Sequence, residues 1–112
     1  MEQLAGKTAL VTGGAHRIGR AIATSLAQAG ANVVVHYRSS GEEADRLAAD
    51  LAELGVKAWA LQADLRDAQD VANLIVQVRQ AAGALDVVVN NASIFPESTL
   101  LDFTPAQLQS NI

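Results

Sequence analysis

The stretch Thr12-Gly13-Gly14-Ala15-His16-Arg17-Ile18-Gly19 has the residue types and spacing that point most directly to chemistry, and that chemistry is anion binding. Gly13 and Gly14 allow positive φ and put no Cβ in the way of a diphosphate, while a helix starting near Ile18 would aim its first unpaired N–H groups at the anion. A turn that merely needs flexible backbone reads the same way, so its surroundings carry the weight. In NAD sites an acidic residue stands about 20 positions past the glycines and holds a ribose 2′-hydroxyl. Here that place reads His36-Tyr37-Arg38-Ser39-Ser40, an arginine with two hydroxyls. This set suits a 2′-phosphate and favours NADP(H) over NAD. Arg38 also fits a solvated turn residue, and Ser40 with Glu43 fits a helix capping box, a role Ser40 can combine with phosphate binding.

These residues need a scaffold that brings the turn and the end of the second strand together. Four apolar runs rich in β-branched residues, at 8–12, 32–37, 57–61 and 85–90, alternate with three segments of helical period. In the first helical segment Ile18, Ile22 and Leu26 share a face and Gly30 ends it; in the second Ala44, Leu47, Ala48 and Leu51 do so, with Gly55 as the stop. In the third, Val71, Leu74, Ile75 and Val78 follow the i, i+3, i+4, i+7 rule, Asp67 sits where an N-cap belongs and Gly83 closes the helix. Val33-Val34-Val35 and Val87-Val88-Val89 lack polar alternation, as strands covered on both faces do. The alternation predicts an α/β, Rossmann-type doubly wound parallel sheet of strand order 3-2-1-4. Ligands in such sheets bind beyond the carboxyl ends of the strands where the order reverses, here between the first strand and the fourth. The irregular stretch from Asn91 to about Phe103 lies at that edge. Thr104-Pro105-Ala106-Gln107 after it reads as a helix start.

With 112 residues, half of them apolar, the chain is expected to form one domain, 1–112, with a single modest core. It has no cysteine, which removes disulfides and thiolate metal ligands and points to a reducing cytoplasm. His16 and His36 stand apart, with no clustered carboxylates at ligand spacing, so no metal is expected. A net charge of −4 disfavours a nucleic-acid partner, and no apolar run is long enough for a membrane span. Trp59 is expected in the core, and Glu42 with Arg46 as an i, i+4 pair on a solvated helix face.

The chain resembles the short-chain dehydrogenase/reductase family through Thr12-Gly13 to Gly19, Asp64-Leu65 after the third strand, Asn90-Asn91-Ala92-Ser93 after the fourth, and Asn111. Within that family it is most similar to pteridine reductases. There the middle glycine of the turn is an arginine, as Arg17 is here, and the asparagine motif ends in serine, as Ser93 does. The resemblance implies the N-terminal half of a longer reductase fold, a homotetramer when complete. It implies that Gly13, Arg17, Ile18 and Gly19 line a pyrophosphate, and that His36, Tyr37, Arg38, Ser39 and Ser40 surround the adenosine end. Asp64 and Leu65 would hold the adenine, and Asn91, Ala92 and Ser93 would border the nicotinamide. Phe95, with Arg17 and Ser93, would contact a flat pterin substrate, and Asn111 would be a member of the catalytic tetrad.

The family's proton donor, a tyrosine followed four residues later by lysine, has no match. The only tyrosine is Tyr37, with Gly41 at that spacing, and the only lysines are Lys7 and Lys57. The expected function is therefore the N-terminal part of an NADPH-dependent reductase acting on a pterin such as dihydrobiopterin or dihydrofolate. A carbonyl or sugar-alcohol oxidoreductase of the same family is the alternative, and an inactive nucleotide-binding fragment is the alternative of another class. Val87 to Val89 would form an edge strand that leaves the chain, taken alone, open to association.

Overall fold

β1 (Thr8–Thr12), buried at all five positions, is the strand around which the rest is arranged. It pairs in parallel with β2 (Asn32–Tyr37) on one side and with β4 (Val87–Asn90) on the other. β3 (Ala58–Gln62) pairs in parallel with β2, completing the order β3-β2-β1-β4 that the alternation predicts. The computed structural model describes residues 3–91.

The two outer strands begin later than their apolar runs. Lys57 gives its amide to the Asn32 side-chain oxygen at 3.0 Å, and the third strand starts at Ala58. Asp86 takes the Thr8 amide on its carboxylate at 2.9 Å, so a side chain stands in for a ladder bond and β4 starts at Val87.

Side chains alternate across β1 and β2 and divide the core in two. Val11, Val33 and Val35 face α1 (Arg17–Gln28) and α2 (Gly41–Ala52). Leu10 and Val34 face α3 (Ala68–Ala82) on the opposite side. α3 buries Val71, Leu74, Ile75 and Val78, the four residues its period singles out. Full burial of such a side chain is worth roughly 1.5–3 kcal/mol. Asp67 caps its N-terminus by accepting the Gln69 amide at 2.9 Å, and Gly83 ends it at φ 83°. Trp59 is half-buried against this helix.

α1 departs from expectation. Its buried residues are Gly19, Ala23 and Ala27, while Ile22 and Leu26 are half-buried and Ile18 is 68% exposed. Small residues on the inner face let the helix axis approach the sheet, and the larger side chains flank that contact. The expected Glu42–Arg46 ion pair does not form; Asp50 of α2 instead pairs with Arg20 of α1 at 3.2 Å.

Candidate functional site: the glycine turn and the end of β2

The turn after β1 is braced from both neighbouring strands. On the β2 side the Gly13 N–H donates to His36 Nδ1 at 2.9 Å and the Gly14 N–H to the His36 carbonyl at 3.1 Å. On the β4 side Asn91 donates from Nδ2 to the Gly13 carbonyl at 3.2 Å and from its backbone to Thr12 Oγ1 at 2.9 Å. The Asn91 amide group thus acts on the turn itself. The amides of Gly13 and Gly14 are likewise spent on β2, so an anion would meet the next ones along. His16, at the N-cap of α1, makes no side-chain cap bond, and the first turn of a helix leaves its N–H groups without intrahelical partners. Those of Arg17, Ile18 and Gly19 are the amides to consider.

The glycines serve two different needs. Gly13 has a positive φ of 61°, as expected; Gly14 does not, contrary to expectation. A Cβ on Gly14 would sit 3.0 Å from the Val11 carbonyl oxygen and 3.3 Å from Val35 Cγ1, so this glycine answers to space rather than to φ. At Gly19 a Cβ would overlap the Gly13 carbonyl oxygen and lie 2.8 Å from Asn91 Nδ2, so the helix start touches the turn directly. Arg17 is held at φ 41°, the one non-glycine residue with positive φ among those described.

A cleft of about 160 Å³ opens between the turn and the end of β2, lined by Gly13, Ala15, His16, His36, Tyr37, Arg38, Ser39, Ser40 and Leu65. It is smaller than the few hundred Å³ usual for a whole ligand of drug size and suits one end of a dinucleotide. The fold brings residues 36–40 and Leu65 together around this space. Arg17, Ile18, Gly19, Asp64 and Asn91 lie outside its lining. Ala92, Ser93, Phe95 and Asn111 lie outside the described residues.

Three features were missed in the sequence. His16 bridges the cleft mouth, with Nδ1 2.8 Å from the Glu43 carboxylate and Nε2 2.6 Å from Ser40 Oγ. This bridge displaces the expected capping box, since Ser40 makes no side-chain cap bond to α2. His36 is 2% exposed, and burial pushes its imidazole below the ordinary value, opposed in part by its bond to the Ala63 carbonyl. Arg66 grips Asp64, with Nε on Oδ1 and a terminal nitrogen on Oδ2, both at 3.0 Å. That side chain and the Arg66 backbone N–H hold the Asp64 carboxyl at about 2. The signals were present: a histidine beside the motif arginine, a histidine inside an apolar strand, and an arginine two residues past the aspartate.

Among the described residues no cluster of three or more His, Cys, Asp or Glu is placed to hold a metal ion. None of their helices is long and apolar enough to cross a membrane.

A family model described as short chain dehydrogenase matches residues 7–112. The chain belongs to that family. It is 43% identical over 95 residues to 3-oxoacyl-(acyl-carrier-protein) reductase FabG of Staphylococcus aureus, a match covering 85% of this chain and 39% of that protein. It is 41% identical over 105 residues to versicolorin reductase 1 of Aspergillus parasiticus, covering 94% of this chain and 40% of the relative. The crystal structure of a short chain dehydrogenase from Burkholderia cenocepacia in complex with NADP superposes with a TM-score of 0.79 at 44% identity, covering 98% of this chain and 46% of that one. The chain thus spans about two fifths of the length of the curated relatives it matches. Neither of these curated relatives is named a pteridine reductase, so the narrower resemblance does not gain their support.

Proposed function

We propose that the chain is the NADP(H)-binding portion of a short-chain reductase acting on a ketone or related carbonyl compound. The observation that carries this reading is the cleft between the glycine turn and Arg38-Ser39-Ser40, which has arginine and hydroxyls where an NAD site has a carboxylate. The residues fit the cofactor. The first-turn amides at the start of α1 have no side-chain cap, and Arg38, Ser39 and Ser40 line the cleft beside the turn. The nearby Glu43 carboxylate is engaged by His16.

When bound, NADPH supplies the hydride. Arg38 and Ser40 would fix its 2′-phosphate, Leu65 would pack against the adenine that Asp64 borders, and residues 91–93 would border the nicotinamide end. Orientation of this kind is what a protein contributes to hydride transfer. Asn111 is assigned to the proton relay by its motif, and no tyrosine in this chain has a lysine four residues on. The oxo group in the name of the Staphylococcus aureus relative supports carbonyl chemistry. A small-molecule substrate, a homotetrameric assembly and a cytoplasmic setting belong to the same proposal.

Reduction of a pterin is the second reading, motivated by Arg17, which keeps a long side chain at a left-handed position beside the turn. One assay separates the readings. The native polypeptide carrying this chain, given NADPH, is expected to reduce activated ketones faster than dihydropterin or dihydrofolate, and to discriminate against NADH. Faster pterin turnover would establish the second reading. Equal use of NADH would overturn the assignment of Arg38 and Ser40.

A further inference from the structure

His36 is a buried titratable residue at the centre of the candidate site, and neither ring nitrogen is free. Nδ1 accepts the Gly13 N–H at 2.9 Å, and Nε2 lies 2.9 Å from the Ala63 carbonyl, which can only accept. The His36 carbonyl takes the Gly14 N–H, and next to it the Tyr37 carbonyl takes the Ala63 N–H at 3.1 Å. The neutral Nε2–H tautomer satisfies both ring contacts at once. No other ring state does: Nδ1–H would face the Gly13 N–H, and an imidazolium would have no lone pair for it. The glycine turn and the segment leading to Leu65 form two walls of one cleft. The ring bonds to both, beside the backbone bonds that join them to β2.

We propose that His36 is the positioning residue of the nucleotide site, its imidazole setting the spacing between the glycine turn and the 63–65 segment that together enclose the adenosine end. The inference rests on the NADP(H) reading above and deepens it. His36 acts through Gly13 and Ala63, so its part differs from the direct cofactor contact that the family resemblance implies. Other titratable and charged groups lie around it. His16, Tyr37 and Arg38 share the cleft, Glu43 of α2 reaches it through His16, Arg17 stands at the start of α1, and Asp64 with Arg66 follows Ala63. The nearby Asp64 is already engaged by Arg66.

Two variants separate the ring's two bonds. Asparagine can place its amide oxygen near the Nδ1 position and keep the Gly13 bond, whereas glutamine reaches toward Ala63 and gives that bond up. In the native polypeptide each variant gives up one of the two bonds, so His36→Asn and His36→Gln are both expected to bind NADPH on the order of tenfold more weakly than the unsubstituted protein. Amide exchange at Gly13 should quicken in His36→Gln and not in His36→Asn. Lowering the pH on the unsubstituted protein should weaken NADPH binding and release Gly13 protection along one curve, and His36→Asn should flatten both changes.

Equal NADPH affinity in all three proteins, with Gly13 still protected in His36→Gln, would overturn the positioning role and leave the NADP(H) reading standing. Failure of the unsubstituted protein to bind NADPH would overturn both. If His36→Gln does not fold, the two pH curves and His36→Asn decide: curves that do not coincide count against the proposal.

Discussion

The Gly13 N–H and His36 Nδ1 stand 2.9 Å apart, which ties the glycine turn to a ring nitrogen that must keep its lone pair. Burial lowers the imidazole pKa in the folded chain. The unfolded chain then binds more protons than the folded one between the lowered value and the ordinary one, so stability rises with pH across that window. The contribution is fully present above the ordinary imidazole value and is lost as pH falls through the lowered one. Urea unfolding from about pH 8 to about pH 5 should show this loss, and His36→Asn should flatten it. His36→Ala leaves two backbone groups short of a partner, each at roughly 1–3 kcal/mol if it stays buried and unpaired.

Gly19→Ala is expected to destabilise more than Gly14→Ala. The new methyl at Gly19 would meet the Gly13 carbonyl oxygen and the Gly14 Cα, backbone atoms that cannot swing aside. At Gly14 the nearest neighbours stand at 3.0 and 3.3 Å, and the second is a valine methyl that can yield a little. Overpacking of this kind costs typically about 1–3 kcal/mol. Midpoints of urea unfolding measure the difference. A smaller loss at Gly19 than at Gly14 would contradict the contact between helix start and turn.

The sheet order and α3 were legible because they depend on long apolar runs and on four large side chains at helical spacing. The inner face of α1 was not: Gly19, Ala23 and Ala27 are small, and period analysis gives weight to Ile18, which points to solvent. The place of residues 36–40 beside the turn followed from the parallel pairing of β1 and β2. The bonds made by His16, His36 and Arg66 did not follow, because each depends on a residue more than 20 positions away or on a side-chain rotamer. Ser40 and Glu43 fit a local capping rule, and a distant histidine took both.

The two N-caps therefore predict opposite outcomes. Asp67 bonds the Gln69 amide at 2.9 Å, so Asp67→Ala should cost about 1 kcal/mol of stability. Ser40 makes no cap bond, so Ser40→Ala should cost less than about 0.5 kcal/mol, the usual range for a surface change. The same Ser40→Ala variant should weaken NADPH more than NADH. An equal loss for both nucleotides would remove Ser40 from the 2′-phosphate site.

Arg66 holds the Asp64 carboxyl below its ordinary value, and its removal should show directly in the titration of that carboxyl. With Arg66 in place the group titrates at about 2. In Arg66→Ala the two side-chain hydrogen bonds are gone, and the carboxyl should move up toward the usual aspartate range near 4. A carbon-detected titration of Asp64 reads this shift. An unchanged value would mean that the Arg66 backbone N–H and Arg38 suffice.

At Arg17 backbone strain stands against the part proposed for its side chain in ligand binding. Its φ of 41° lies where an L residue pays roughly 1–2 kcal/mol and glycine pays little. Glycine also has more freedom to lose on folding, so Arg17→Gly should gain at most about 1 kcal/mol, and Arg17→Ala, which keeps the Cβ, should gain nothing. If the guanidinium helps bind the diphosphate, both variants should weaken NADPH and NADH alike, since the two share that group, and the loss should shrink as salt rises. A gain in stability for glycine alone, with an equal affinity loss for both variants, would show that strain is tolerated at this position for the charge. If affinity is unchanged but turnover with dihydropterin falls while ketone turnover holds, Arg17 contacts the substrate, and the pterin reading gains the support that its relatives do not give it.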